Sequence, residues 1–207
     1  MGIENTHKLI VNCLPFNEGE RRAFAKAARD VPQEFVGDEA HRGDMVWSAA
    51  VPEELRSRAT AVIGNFPVSQ ASQYTRLEWL QTFSAGVDAY ICPGVLPRGT
   101  MVTNASGAYG QSVSEHLFAT MWALMKNLNR YASNQRDHQW QDEGPVLSPE
   151  GGIALIIGVG DIGSHFAQLA QSVGMRTFGV RRHADVPAKG IEKMYGFERL
   201  ETLLPLA

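Results

Sequence analysis

The fold is decided by residues 153–163, whose sequence is IALIIGVGDIG. The first five residues are all apolar, which is typical of a strand buried on both faces of a sheet. An amphipathic helix is predicted from Ile162 to about Val173, and a further strand at residues 176–180. Gly174 follows this helix at the position where a left-handed C-cap residue is expected. The stretch therefore predicts a β-α-β unit with parallel strands.

The turn between the strand and the helix has the pattern G-x-G-x-x-G, formed by Gly158, Gly160 and Gly163. In a strand-turn-helix context this pattern is typical of dinucleotide binding. The first glycine permits the tight turn, the second lets a pyrophosphate approach, and the third allows close helix packing. Free N–H groups and the positive end of the helix dipole favour phosphates there. We therefore predict a cofactor site that also includes Asp161 and Ile162, with a plain glycine turn as the alternative.

Two arginines, Arg181 and Arg182, follow the second strand of this unit. An acidic residue at that position would accept a hydrogen bond from the ribose 2′-hydroxyl of NAD. A guanidinium would instead form a bidentate, charge-assisted contact with a 2′-phosphate. The arginines predict a preference for NADP over NAD, unless both are ordinary solvated surface charges.

Composition limits the other classes of function. The chain has 207 residues and a formal net charge of −3, so a basic nucleic-acid-binding face is not indicated. Its two cysteines, Cys13 and Cys92, form no C-x-x-C pair, and neither a disulfide framework nor a metal site is predicted. The N-terminus does not have the pattern of a signal peptide, and no apolar run approaches the roughly 20 residues that span a bilayer. We therefore expect a cytoplasmic protein that contacts neither nucleic acid nor membrane.

Apolar runs alternate with helical patterns through the first hundred residues. This alternation predicts a parallel sheet covered on both faces. The predicted elements are a helix from Asn17 to Ala28 and strands at 7–14, 45–47, 61–64, 77–83 and 101–104.

A sustained apolar stripe predicts one long helix over about 111–139. The stripe consists of Val113, Leu117, Met121, Leu124 and Leu128. A helix of this length is suited to bridging two domains or forming a dimer contact, and packing as a core helix is the alternative.

Three blocks of sequence resemble one family, the D-isomer-specific 2-hydroxyacid dehydrogenases. The first is LEWLQTFSAGVD at 77–88, and the second is VTNASG at 102–107 followed by SVSEH at 112–116. The third is the glycine motif with its flanks. The order and spacing of these blocks cover nearly the whole chain, and they specify no single substrate.

This resemblance implies an α/β protein with two domains. Residues 1–104 would form a flavodoxin-like parallel-sheet substrate domain, and residues 105–207 a partial Rossmann domain. The backbone N–H groups of the loop Ser84, Ala85, Gly86 and Val87 would bind the substrate carboxylate, with an ordinary strand-end turn as the alternative. A glycine at position 86 fits a close approach of the backbone to a ligand. Residues 65–67 (Asn-Phe-Pro) would line the same cleft.

The resemblance also implies hydride transfer between nicotinamide and the C2 carbon of a small 2-hydroxy or 2-oxo acid, in a homodimer formed through the long helix. The family uses an Arg, a His and an acidic residue that would all lie beyond Ala207. We therefore assign no catalytic residue and expect a truncated chain that is inactive alone. The histidines match none of the family's catalytic positions, and His116 is expected to be structural; they are His7, His41, His116, His138, His165 and His183.

Two alternatives remain for the chain as given. One is a non-catalytic module that binds a dinucleotide or a partner, and the other is an inert truncated product. Only two strands, 153–157 and 176–180, are predicted for the second domain. The first of these would then have an uncovered apolar edge, which is an aggregation hazard.

Overall fold

The chain folds into two compact units that divide between Ser106 and Gly107. The computed structural model describes residues 8–44 and 47–207. The strand predicted at 45–47 falls mostly outside the described residues. The assignment of substrate and cofactor roles to the two units stays a prediction.

The first unit is a five-stranded parallel sheet in the order β2-β1-β3-β4-β5, which is the flavodoxin-like order. The α/β fold class is thus confirmed. The elements are β1 (Ile10–Asn12), α1 (Glu18–Ala28), β2 (Gln33–Phe35), α2 (Glu53–Arg56), β3 (Ala61–Ile63), β4 (Trp79–Gln81), α3 (Asp88–Ile91) and β5 (Met101–Thr103), with 3-10 turns at Glu39–His41 and Val68–Gln73.

Helix α1 begins where the sequence predicts. The Asn17 side chain accepts a hydrogen bond from the Glu20 N–H at 2.9 Å, and the Glu20 carboxylate accepts one from the Asn17 N–H at 3.0 Å. This reciprocal capping box satisfies two donors that the first helical turn would otherwise leave unpaired.

The core of the first unit lies on the central strands of its sheet. Val11 is in register with Val62, and Val62 with Leu80, and all three side chains are fully buried. Because the strands are parallel, their carboxyl ends meet at one edge of the sheet. The loops after β3, β4 and β5 are therefore brought together there, although they are far apart in sequence.

The second unit contains three strands, where two were predicted. Its elements are α4 (Gly110–Met125), α5 (Leu128–Arg136), β6 (Ile153–Ile157), α6 (Asp161–Ser172), β7 (Arg176–Val180), β8 (Lys193–Tyr195) and α7 (Leu200–Leu203), with 3-10 turns at Phe197–Arg199 and Leu204–Leu206. The sheet is parallel in the order β6-β7-β8, as in one half of a Rossmann fold. The partial Rossmann unit is confirmed, and the prediction of only two strands is wrong.

The prediction of one long helix over 111–139 is also wrong. Helix α4 ends at Met125, and α5 begins at Leu128 after Asn127, whose φ of +53° is left-handed. A left-handed residue cannot continue a right-handed helix, and Asn tolerates this conformation better than most residues. The apolar stripe crosses the break and is partly exposed, with Leu117, Leu124 and Leu128 at 45%, 65% and 52% of full exposure.

Helix α6 matches its predicted bounds to within one residue at each end. Gly174 has a φ of +83°, as expected for the residue after the C-cap. Strand β6 pairs with β7, and within the described ranges nothing pairs with its other edge, where Ile157 is half exposed. No helix in the described part of the chain is long and apolar enough to cross a membrane.

Candidate functional site

The predicted glycine loop, residues 158–163, connects β6 to α6. Gly158 has a φ of +95°, a conformation that favours glycine, and its N–H donates to the Val180 carbonyl at 2.8 Å. Gly160 is the N-cap residue of α6, which is 12 residues long. The glycine loop therefore lies at the N-terminus of a helix long enough to have a substantial dipole.

The three glycines have different surroundings. A Cβ at Gly163 would lie 2.3 Å from the Gly158 carbonyl oxygen, so the helix packs against the turn too closely for a side chain. A Cβ at Gly160 would meet no protein atom within 4 Å. Gly160 therefore leaves open space beside the backbone, which a ligand phosphate can approach. These surroundings fit the role predicted for each glycine in holding a pyrophosphate.

Polar groups at the start of α6 also fit an anion. Within the described residues, no hydrogen bond takes its donor from the backbone N–H groups of Gly160, Asp161 or Ile162. The Asp161 carboxylate lies 3.3 Å from His165 Nδ1, and a Cβ at Gly110 of α4 would come within 2.3 Å of its oxygen. Asp161 is thus turned toward α4 and His165, and its N–H is the group available to a phosphate.

The two arginines after β7 differ in their surroundings. The Arg181 guanidinium is half buried and donates to three backbone carbonyls: Val159 at 3.3 Å, His183 at 2.9 Å, and Val186. These bonds tie the segment after β7 to the glycine loop. The Arg181 side chain therefore stabilises the walls of the candidate site, in addition to placing a positive charge there.

Arg182 is exposed, and within the described ranges no other side chain forms an ion pair with it. Gly160, Arg181 and Lys189 help to line a cavity of about 460 Å³, and Arg182 is not among the residues that line it. Lys189 lies nine residues beyond the end of β7, and its contribution to this cavity was not predicted from the sequence. Its only sequence signal was a positive charge near the predicted phosphate site.

The loop of Ser84 to Val87 follows β4 at the carboxyl edge of the first sheet. Ala85 and Gly86 are exposed, and Ser84 and Val87 are half buried. No hydrogen bond among the described residues takes its donor from the four backbone N–H groups of this loop. A Cβ at Gly86 would lie in open space, so no packing inside the protein requires glycine there.

Side chains from neighbouring strand ends contact this loop. The Asn65 amide donates to Ser84 Oγ at 3.2 Å and accepts from the Phe83 N–H at 3.2 Å, so the structure brings Asn65 to the predicted loop. Asn104 Nδ2 donates to the Ala85 carbonyl at 2.7 Å. Asn104 lies in the VTNASG block of the resemblance, but no individual role was predicted for it.

Residues 118–207 match the family described as D-isomer specific 2-hydroxyacid dehydrogenase, NAD binding domain. The matched range contains β6, the glycine loop, α6 and β7, which together form the candidate cofactor site. This part of the chain is therefore similar to the NAD-binding domain of that family. The glycine loop lies within the range that matches this NAD-binding domain.

Two curated relatives are similar to part of the chain. D-3-phosphoglycerate dehydrogenase of Bacillus subtilis is 30% identical over 105 residues, which are 50% of this chain and 20% of that protein. Glycerate dehydrogenase of Methylorubrum extorquens is 24% identical over 135 residues, which are 61% of this chain and 43% of that protein. The chain thus matches less than half the length of either relative.

A solved structure shares the fold over almost the whole chain. It is a D-isomer specific 2-hydroxyacid dehydrogenase family protein from Aeromonas salmonicida, with a TM-score of 0.77 and 24% identity. The similarity covers 97% of this chain and 62% of that chain. Both units therefore have the architecture of this 2-hydroxyacid dehydrogenase family fold.

The described titratable groups add little to the candidate site. Burial raises the pKa of the Cys13 thiol to about 12, so Cys13 is a core thiol and not a nucleophile. His116 is exposed on α4, while His165 contacts Asp161 beside the glycine loop. No group of three or more His, Cys, Asp or Glu side chains in the described ranges could hold a metal ion.

Proposed function

We propose that this chain supplies the cofactor-phosphate and substrate-carboxylate sites of an NADP-preferring 2-hydroxyacid dehydrogenase. The reaction is hydride transfer between nicotinamide and the C2 carbon of a small 2-oxo or 2-hydroxy acid. The observation that supports it most is the glycine loop. Its available N–H groups, the open space at Gly160 and the start of α6 converge at one place.

In this proposal the glycine loop holds the cofactor pyrophosphate. The N–H groups of Gly160, Asp161 and Ile162 donate to phosphate oxygens, and the dipole of α6 favours their negative charge. Gly158 makes the turn, and Gly163 keeps the helix close to it. When bound, the nicotinamide cofactor supplies or accepts the hydride.

We assign the cofactor preference to the segment after β7. Arg182 binds the 2′-phosphate of NADP, because it is exposed, directly follows Arg181 after β7 and has no carboxylate partner among the described residues. Arg181 adds positive charge and fixes the position of the segment. No acidic residue stands at 181 or 182 to bind the 2′-hydroxyl of NAD.

The substrate carboxylate binds to the backbone N–H groups of the loop Ser84, Ala85, Gly86 and Val87. These groups have no acceptor within the described residues, and Ala85 and Gly86 are exposed. A carboxylate that accepts two or three such hydrogen bonds is held by charge-assisted contacts. Asn65 lies against this loop and stabilises it.

We further propose that the 207 residues alone bind cofactor without turning over substrate. We assign the family's Arg, His and acidic residue to no position of these 207 residues. The enzyme would act as a homodimer in which the exposed residues of α4 and α5, including Leu117, Leu124 and Leu128, contact a second copy. Two unpaired cysteines fit a cytoplasmic location.

Equilibrium titration of the purified chain with NADPH and with NADH tests this function. We expect saturable binding of both, with tighter binding of NADPH. Arg182→Ala should weaken NADPH binding at least about tenfold, the equivalent of about 1.4 kcal/mol, and leave NADH binding nearly unchanged.

Arg199→Ala is the matched control. It removes the same charge from an exposed position after β8 and should change neither affinity. Equal losses for both cofactors in Arg182→Ala would disprove the 2′-phosphate assignment. Failure of a folded wild-type sample to bind either cofactor would disprove the pyrophosphate site.

A further inference from the structure

The three carbonyl groups of Ser84, Ala85 and Gly86 all accept hydrogen bonds from the protein. The donors come from the loop itself and from residues that follow β4 and β5. The Ser84 carbonyl accepts from Thr82 Oγ1 at 2.8 Å and from the Ala105 N–H at 3.2 Å. Asn104 Nδ2 donates to the Ala85 carbonyl at 2.7 Å, and Ser84 Oγ donates to the Gly86 carbonyl at 2.8 Å.

These bonds determine the direction of the N–H groups in the same loop. A trans peptide is planar, so its C=O and N–H groups point in opposite directions. Fixing the Ala85 carbonyl on Asn104 therefore directs the Gly86 N–H away from Asn104. The same reasoning applies to the N–H groups of Ala85 and Val87. The loop thus uses its acceptors inside the protein and leaves its donors available, as an anion site requires.

The Asn104 amide is itself held in one orientation. Its Oδ1 accepts a hydrogen bond from the Ser106 N–H at 3.3 Å, which leaves its Nδ2 to face the Ala85 carbonyl. Asn104 is half buried, whereas Thr82 is fully buried in the first unit. Asn104 can therefore be changed with less disturbance of the core.

We propose that Asn104 is a positioning residue that holds the Ala85–Gly86 peptide so that the Gly86 N–H donates to the substrate carboxylate. The inference rests on the proposed function of the 84–87 loop. It extends that function, because the loop then selects for an anionic substrate through the direction of its peptide groups. Without Asn104, the Ala85 carbonyl is free to turn toward the ligand, where it repels a carboxylate.

The ligand-free positioning of the loop is tested by NMR of the 15N-labelled 207-residue chain. In Asn104→Ala, we expect a shifted Gly86 amide resonance and greater motion of that amide by 15N relaxation. Ser106→Ala is the matched control, because it keeps the Ser106 N–H that binds Asn104 Oδ1. Its Gly86 amide should be unchanged. A Gly86 amide with the same resonance and relaxation in Asn104→Ala as in the wild type would overturn the positioning role.

Titration with pyruvate tests the selection of an anion. In the wild type, the amides of residues 85–87 should shift saturably with pyruvate and not with the neutral analogue pyruvamide. Asn104→Ala should weaken pyruvate binding by about threefold to tenfold. If pyruvate shifted none of these wild-type amide resonances, the proposed carboxylate site would be disproved. The NMR comparison of the ligand-free wild type with Asn104→Ala would still decide the positioning role.

The isosteric variant Asn104→Asp separates positioning from simple structural support. An ionised Asp cannot donate to the Ala85 carbonyl, so pyruvate binding should be weaker than in Asn104→Ala. As the pH falls through the ordinary Asp pKa near 4, the protonated acid regains a donor, and affinity should recover severalfold relative to the wild type. A variant whose affinity relative to the wild type stays constant with pH would contradict the proposal.

Discussion

The packing of α6 against the glycine loop gives the sharpest prediction, because substitutions of two glycines in one motif should have different effects. One should lower stability, and the other should weaken cofactor binding. In Gly163→Ala, the new Cβ would lie 2.3 Å from the Gly158 carbonyl oxygen and 3.2 Å from Ile156 Cγ2. The first atom belongs to the backbone and cannot rotate away. Overpacking of this kind costs up to about 3 kcal/mol. The higher helix propensity of Ala returns about 1 kcal/mol, so the free energy of unfolding should fall by about 2 kcal/mol.

The matched variant is Gly160→Ala. Its Cβ meets no protein atom within 4 Å, and the φ of −105° is accessible to Ala, so stability should change by less than about 1 kcal/mol. The same Cβ projects into the space that the pyrophosphate approaches. We therefore expect Gly160→Ala to bind NADPH at least about tenfold more weakly, a loss of about 1.4 kcal/mol, while its stability is nearly that of the wild type.

Thermal unfolding and NADPH titration of both variants measure these effects. For a chain of this size, 2 kcal/mol corresponds to a decrease in Tm of about 4–8 °C in Gly163→Ala. A Gly163→Ala variant as stable as the wild type would refute the close packing of helix on turn. A Gly160→Ala variant that lost stability and kept its affinity would refute the assignment of the open space to the cofactor.

Three further predictions concern other parts of the chain. Because the Arg181 guanidinium donates to three backbone carbonyls, Arg181→Ala should lower the free energy of unfolding, measured by denaturation, by about 1–3 kcal/mol. Titration should show weaker binding of both NADPH and NADH. A loss of affinity confined to NADPH would contradict the structural role of Arg181. At pH 8, mass spectrometry after iodoacetamide treatment of the folded chain should find Cys92 alkylated and Cys13 unmodified. Cys92 is exposed, and the buried Cys13 thiol stays protonated until about pH 12, so equal labelling would count against the buried core position. Leu124→Glu should shift the chain toward monomer in sedimentation velocity if α4 forms the dimer contact, and an unchanged dimer would exclude this surface.

The features predicted from the sequence are those specified by neighbouring residues. The capping box of Asn17 and Glu20 marks the start of α1, and the apolar run of residues 153–157 marks β6. The missed strands β2 and β8 are both at the edge of a sheet. They are short and contain charged residues, and their extended conformation depends on hydrogen bonds to a neighbouring strand. The break at Asn127 was missed because the apolar stripe continues across it.

The contact of Asn104 with the 84–87 loop could not be predicted from a local sequence pattern, for a different reason. Asn104 and Ala85 are 19 residues apart, and each has an ordinary residue type for a loop after a strand. Their contact follows from the pairing of β4 with β5 in parallel, with Gln81 in register with Thr103. Parallel pairing places both carboxyl ends at one edge, so the residue after β5 reaches the loop after β4. If the register of β4 and β5 had been known, the contact of Asn104 with the loop could have been predicted. The contacts of the 84–87 loop therefore depend on strand register as much as on its own residues.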